Sequence, residues 1–228
     1  MRAVPSASSA SSPSSGGSDG ARIDVIAVRL GLARCRLIVE RHAAYLTRLD
    51  TVLGDGDHGD NLVIGFRAVD ALLAELPADT PPGELLQAVG HRLVAAVGGA
   101  SGPLYGTAFL EAGAVVGDRT ELDQPTVAAM LQAAADGLAR RGRCAVGDKT
   151  ILDALRPAAD AFAAASTAGQ PARIGIAAAV RAAARGMRST RTVVARRGLA
   201  LRLGARSIGH LDPGAASCVL LLRALGGR

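Results

Sequence analysis

Four aspartates fall within the stretch LDTVLGDGDHGDN, Leu49 to Asn61, in a chain of 228 residues with a formal net charge of +6. Asp50 is followed by Asp55 and Asp57, with Gly54 and Gly56 interleaved. The glycines let the backbone turn tightly enough for three carboxylates to converge. Unpaired, such carboxylates repel and their pKa values rise, and a divalent cation removes the repulsion. Oxygen-only ligands favour Mg²⁺ or Ca²⁺ over zinc, and Mg²⁺ where a polyphosphate supplies further oxygens. The loop is not an EF-hand, because its glycine comes too early and no glutamate closes the set. Helix capping ahead of Asp60 and Asn61 is the plainer explanation, but capping needs only one or two acids.

Three further segments have compositions suited to chemistry. GGASGPLYGT, Gly98 to Thr107, reads as a glycine-rich loop whose backbone N–H groups and following helix suit a phosphate. It lacks the G-K-[ST] ending of a Walker loop, and close helix packing through glycine explains it as well. VGDKT, Val146 to Thr150, offers Asp148 as an N-cap and Lys149 as a lone cation, with a solvated lysine as the plain alternative. RSIGHLDPGAAS, Arg206 to Ser217, places Asp212 as N-cap and Pro213 in the first turn of a helix. That entry leaves Arg206 and His210 unexplained. Rare residue types concentrate in these loops, since Lys149 is the only lysine and Asn61 the only asparagine.

The elements that must position these loops are helical. Ile26, Leu30, Ala33 and Leu37 form one apolar stripe, and Leu62, Phe66, Val69, Leu73 and Leu76 form a second, ended by Pro77. Leu86, Val89, Leu93 and Val97 mark a third helix, closed by Gly98 and Gly99, and GTAFLEAGAVV a fourth. Val127, Leu131, Ala134 and Leu138 mark a fifth, and Leu152, Leu155, Ala159 and Phe162 a sixth, bent at Pro157. A seventh spans roughly 173–195, and an eighth 213–225. No segment sustains period-two alternation, so the class is all-α, a helical bundle or barrel. Short connections imply antiparallel neighbours. The four chemical segments are then alternate connections and lie at the same end.

Taken together, GDGDHG, GGASGPLYGT, GDKT with LDAL, and RSIGHLDPGAAS resemble the nucleotide-binding L subunits of dihydroxyacetone kinases, the DAK2-domain family. The resemblance spans residues 22–228, following a Ser/Gly/Pro-rich tail over 1–21 that reads as disordered. It implies an eight-helix antiparallel barrel with the nucleotide at one end. It implies two Mg²⁺ ions on Asp50, Asp55 and Asp57, and ADP or ATP contacted by His58, Gly59, Asp60, Asn61, Ala100 and Ser101. Gly142 and Ile151 would border the adenine, and Asp212, Pro213 and Gly214 would close the pocket. The implied activity is phosphoryl transfer to a triose held on a separate K subunit. An M subunit of the phosphotransferase system is a further implied partner, and a homodimer is compatible with the pattern. The same chemistry on another small ketose such as erythrulose, or a regulatory homologue without transfer activity, are the alternatives. Leu199 stands where the family has an arginine and Ala205 where it has a glutamate; Arg197 and Arg202 are the nearby cations that could compensate.

Composition removes other classes. Aromatic residues make up 2% of the chain, with no Trp and only Tyr45 and Tyr105 among tyrosines. Base-stacking platforms are therefore missing, and nucleic acid is not an expected partner. No apolar run reaches membrane-spanning length and the N-terminus has no signal-like apolar core. Cys35, Cys144 and Cys218 are scattered and odd in number, which fits a reducing, cytoplasmic setting.

Overall fold

A computed structural model describes residues 22–227, so the tail expected over 1–21 lies outside the described residues. Alanine and leucine, both strong helix formers, dominate the eight α-helices found there. These are α1 (Val25–Leu53), α2 (His58–Glu75), α3 (Pro82–Ala96), α4 (Ser101–Val116), α5 (Gln124–Gly142), α6 (Leu152–Thr167), α7 (Ala172–Ser189) and α8 (Pro213–Leu225). Two short 3₁₀ segments, Thr190–Thr192 and Leu199–Ser207, occupy the connection between α7 and α8. The two strands, β1 (Ile23–Asp24) and β2 (Glu121–Leu122), form a minimal antiparallel pair.

Aspartate caps start three of the helices. Asp24 accepts from the Ala27 N–H, Asp123 from Thr126, and Asp212 from Ala215. Each helix packs on the next in sequence, and α8 closes the ring against α1, which makes a barrel. Its aliphatic core includes Leu32, Leu46, Leu62, Phe66, Val89, Leu93 and Leu138, all essentially buried. Each such side chain contributes about 1.5–3 kcal/mol when removed from water. An apolar hollow of about 260 Å³ remains inside, bordered by Tyr105, Phe109, Leu138 and Cys218. The connections after α1, α3, α5 and α7 converge at one end of the barrel, as alternate connections must.

Four local expectations are corrected. The stripe chosen on α1 faces solvent, with Ile26 62%, Leu30 52% and Leu37 55% exposed. The buried face is Gly31, Leu32, Cys35, Val39 and Leu46. It carries small residues because α8 approaches closely: a Cβ at Gly31 would lie 3.3 Å from Leu225 Cδ2. Next, α4 begins at Ser101, so only Gly98–Ala100 remain loop. Gly102 and Gly106 lie inside the helix, where a side chain would collide with Val97 and Val94 of the α3 side.

The seventh helix ends at Ser189 rather than near residue 195, and Asp148 does not cap α6. The carboxylate of Asp148 instead accepts from the Ala145 N–H at 3.0 Å, closing its own turn. The buried Asp153 holds the loop from the other side. It accepts from Gly147 N–H at 2.6 Å and from Thr150 N–H at 2.7 Å.

Candidate nucleotide and metal site

Asp50 sits in the last turn of α1, while Asp55 and Asp57 lie in the loop leading to α2. One ligand atom from each of the three carboxylates lies within 4.8 Å of the others, close enough to share a cation. The loop is folded around Asp50, whose Oδ2 accepts the N–H groups of Gly56 (3.0 Å), Asp57 (3.0 Å) and His58 (3.2 Å). Gly54 is required by crowding, because a Cβ there would run into the Asp50 carboxylate. Asp57 occupies the N-cap position of α2, yet its side chain caps nothing. Asp50 thus takes the first N–H of α2, and capping leaves Asp55 and Asp57 unaccounted for. Lost hydration first, then the neighbouring Asp55 and Asp50 charges, push the Asp57 carboxyl above its ordinary range, against a lowering hydrogen bond from Asn61. A hard divalent cation fits this donor set.

These carboxylates line a cavity of about 700 Å³ at the open end of the barrel. Its wall also includes His58, Gly98, Gly99, Ala100, Ser101, Gly142, Ile151, Asp212, Pro213 and Gly214. Every expected contact residue except Gly59, Asp60 and Asn61 thus borders one space. Gly59 is turned into the α1–α2 contact, where a Cβ would strike the Ala43 carbonyl and the Thr47 hydroxyl. Asp60 is exposed in the first turn of α2, where a negative charge suits the helix dipole. The Asn61 amide lies against Gly98, 3.3 Å from where a Cβ would stand, and so joins the acidic loop to the glycine loop.

His58 is buried, with its Nδ1 3.0 Å from Ser101 Oγ and its Nε2 2.9 Å from Ser217 Oγ. Burial lowers its pKa, with Asp50 and Asp55 opposing. Tyr105 Oη lies 2.7 Å from the same Ser217 hydroxyl. Tyr105 and Ser217 lie within two of the segments singled out in the sequence, but neither is among the expected contact residues.

Lys149 is 1% exposed and has a positive φ of 64°. Its ammonium donates to the carbonyls of Thr190, Val193 (3.4 Å) and His210 (2.6 Å). The plain alternative, a solvated lysine, does not hold: Lys149 is a buried tie across both ends of the α7–α8 connection. By taking the Thr190 and Val193 carbonyls it gives α7 a reason to stop. Asp212, also buried, donates its backbone N–H to Thr190 Oγ1 at 3.0 Å and accepts from Ala215. Burial pushes its carboxyl up to about 7; Asp153 and Asp50 add to the rise, while the Ala215 bond and Lys149 oppose it.

The same connection supplies Arg197, Gly198, Leu199, Ala200 and Arg202 to the cavity wall. Arg197 donates to the Arg143 carbonyl at 2.6 Å and lies 3.6 Å from Asp148. Arg202 has no ion pair among the described residues and shares a face with Leu199, since positions i and i+3 eclipse in a 3₁₀ helix. Ala205 is exposed outside the lining, and Arg206 likewise. Among the described residues, no helix is long and apolar enough to cross a membrane.

The chain is similar to proteins of known kind. The ADP-binding subunit DhaL of PEP-dependent dihydroxyacetone kinase 2 from Listeria innocua is 42% identical over 189 residues, 82% of this chain and 87% of the relative. The L-erythrulose 1-kinase of Mycolicibacterium smegmatis is 38% identical over 185 residues, 80% of this chain but only 32% of that enzyme. A crystal structure of the dihydroxyacetone kinase from C. freundii in complex with AMP-PNP and Mg²⁺ has the same fold, with a TM-score of 0.66 and 24% identity. The match covers 100% of this chain and 38% of that one. The family described as the DAK2 domain matches residues 52–227, and the chain belongs to it together with the DhaL subunits of dihydroxyacetone kinases.

Proposed function

We propose that this chain is the ADP/ATP-binding phosphotransfer subunit of a dihydroxyacetone-type kinase, working on a triose held by a K-type partner. The observation that carries this reading is the convergence of Asp50, Asp55 and Asp57 on the cavity that also receives the head of α4. Mg²⁺, as two ions, would be held by those three carboxylates and would offset charge between attacking and leaving oxygens. Gly98, Gly99 and Ala100 precede the first turn of α4, where free N–H groups and the helix dipole favour a phosphate. Gly142 and Ile151, with Pro103 and Leu104, offer an apolar wall for the base. Asp212, Pro213 and Gly214 border the opposite side at the entry to α8. Arg202, which has no ion pair among the described residues, could face phosphate oxygens from the segment that carries Leu199. The chain's task is positioning and electrostatics, with no covalent intermediate of its own. The name of the Listeria relative, an ADP-binding subunit, supports this reading.

Reconstitution tests it. Dihydroxyacetone phosphate should form when the chain is combined with a K-type subunit and either ATP or an M-type subunit with phosphoenolpyruvate. The similarity to the L-erythrulose 1-kinase favours one second reading, transfer to a four-carbon ketose. Running the same assay with erythrulose separates the two. Intact nucleotide binding without transfer to either ketose would support a regulatory role instead.

A further inference from the structure

Four side chains from three helices form a continuous chain of hydrogen bonds from the barrel interior to the cavity wall. Tyr105 Oη meets Ser217 Oγ at 2.7 Å, Ser217 meets His58 Nε2 at 2.9 Å, and His58 Nδ1 meets Ser101 Oγ at 3.0 Å. Ser101 is the first residue of α4 and lines the cavity beside the three carboxylates. Its side-chain hydrogen-bond partner among the described residues is His58. Its hydroxyl thus has the imidazole behind it and the cavity in front.

The direction of the chain follows from counting protons. Tyr105 is buried, and Ser217 is its side-chain hydrogen-bond partner among the described residues. A phenol that accepted from Ser217 would leave its own proton without an acceptor, so Tyr105 donates. Ser217 then has one proton and two kinds of acceptor. One is the pair of carbonyls of Pro213 and Gly214, each at 3.0 Å; the other is His58 Nε2. The carbonyls belong to the first turn of α8, where the helix ladder already supplies donors. If Ser217 donates to them, His58 must carry its proton on Nε2, and Ser101 must spend its proton on Nδ1. Ser101 would then present only lone pairs to the cavity. If Ser217 donates to Nε2, His58 carries its proton on Nδ1 and donates to Ser101. The Ser101 proton is then free to point outward.

We propose that the second order operates when phosphate sits at the head of α4. Tyr105, Ser217 and His58 are then positioning residues that turn the Ser101 hydroxyl into a donor aimed at a phosphate oxygen. This rests on the nucleotide reading above. An anion needs donors, and only this order supplies one from Ser101. Each hydroxyl in the chain donates forward, so each bond polarises the next toward the anion. His58 acts through Ser101 and needs no contact with the nucleotide.

A double-mutant cycle read by calorimetry tests this, with Mg-ADP and adenosine as probes. Tyr105→Phe should weaken Mg-ADP binding by about threefold to tenfold, the size of one net hydrogen bond, and leave adenosine unchanged. Introduced into Ser101→Ala, Tyr105→Phe should have no further effect on Mg-ADP. Ser217→Ala breaks the chain at a second point and should behave in the same way, which guards against a folding defect peculiar to position 105. Additive losses, or equal losses for ADP and adenosine, overturn the relay while leaving nucleotide binding intact. Failure of the unaltered chain to bind Mg-ADP overturns the nucleotide reading and the relay with it.

Discussion

The Lys149 ammonium donates to the His210 carbonyl at 2.6 Å, across 61 positions of sequence. The same group reaches Thr190 and Val193, so one side chain gathers both ends of the connection that walls the cavity. Asp148, next to it, adds a carbonyl that accepts the Arg196 N–H at 3.0 Å. The VGDKT turn thus serves as the anchor of the 190–212 segment.

Lys149→Met should therefore be costly. It leaves one buried and two part-buried carbonyls short of a donor and removes the positive charge facing Asp212 and Asp153. The expected loss is about 2 kcal/mol or more in urea unfolding. Amide exchange should accelerate most over 190–212. A change below about 0.5 kcal/mol with unchanged exchange would mean that the tie is not holding the segment.

Gly59 and Asp60 separate packing from binding. Gly59→Ala pushes a methyl into the Ala43 carbonyl, so the fold should lose about 1–3 kcal/mol through overpacking. Asp60→Asn alters an exposed residue outside the cavity wall and should move Mg-ADP affinity by no more than about twofold. Thermal unfolding and calorimetry on the pair would check both statements. A large affinity loss in Asp60→Asn would place its carboxylate in the site after all.

The arrangement of elements was legible because it is local. Helical periodicity and Pro/Gly punctuation marked eight helices, and their alternation placed the four chemical loops at one end. The acidic loop was legible because charges of one sign, interleaved with glycine, have few structural explanations. What failed depended on partners distant in sequence. Ile26, Leu30 and Leu37 outweigh Gly31 and Cys35 in bulk, and nothing within α1 reveals that Leu225 needs the small side. Lys149 drew notice as a rare residue, yet its acceptors lie at 190, 193 and 210, beyond any local pattern. The pairing of Ser217 with Tyr105 is hidden for the same reason: the two lie 112 positions apart, and His58 meets Ser217 across 159.

Asp212 gives a signed pH dependence for the metal-free chain. Burial raises its carboxyl to about 7 in the folded protein, whereas an unfolded aspartate ionises near ~3.9. Between those values the folded chain keeps a proton that the unfolded chain has released. This group's contribution to stability therefore falls as pH rises through that window and levels off above about 7. Asp212→Asn keeps a capping oxygen and removes the slope. Urea midpoints at about pH 5 and about pH 8 should differ more steeply toward acid stability in the unaltered chain than in the variant. Parallel pH dependences would show that Asp212 titrates as an ordinary carboxyl.

On the proposed function, Asp50, Asp55 and Asp57 hold the cation through which nucleotide binds. Calorimetry with ADP, with and without Mg²⁺, on the unaltered chain and the Asp55→Asn/Asp57→Asn double variant tests it most directly. Binding should require Mg²⁺ in the unaltered chain and be at least about a hundredfold weaker in the variant. Equal ADP affinity in the two chains, or affinity indifferent to Mg²⁺, would contradict it.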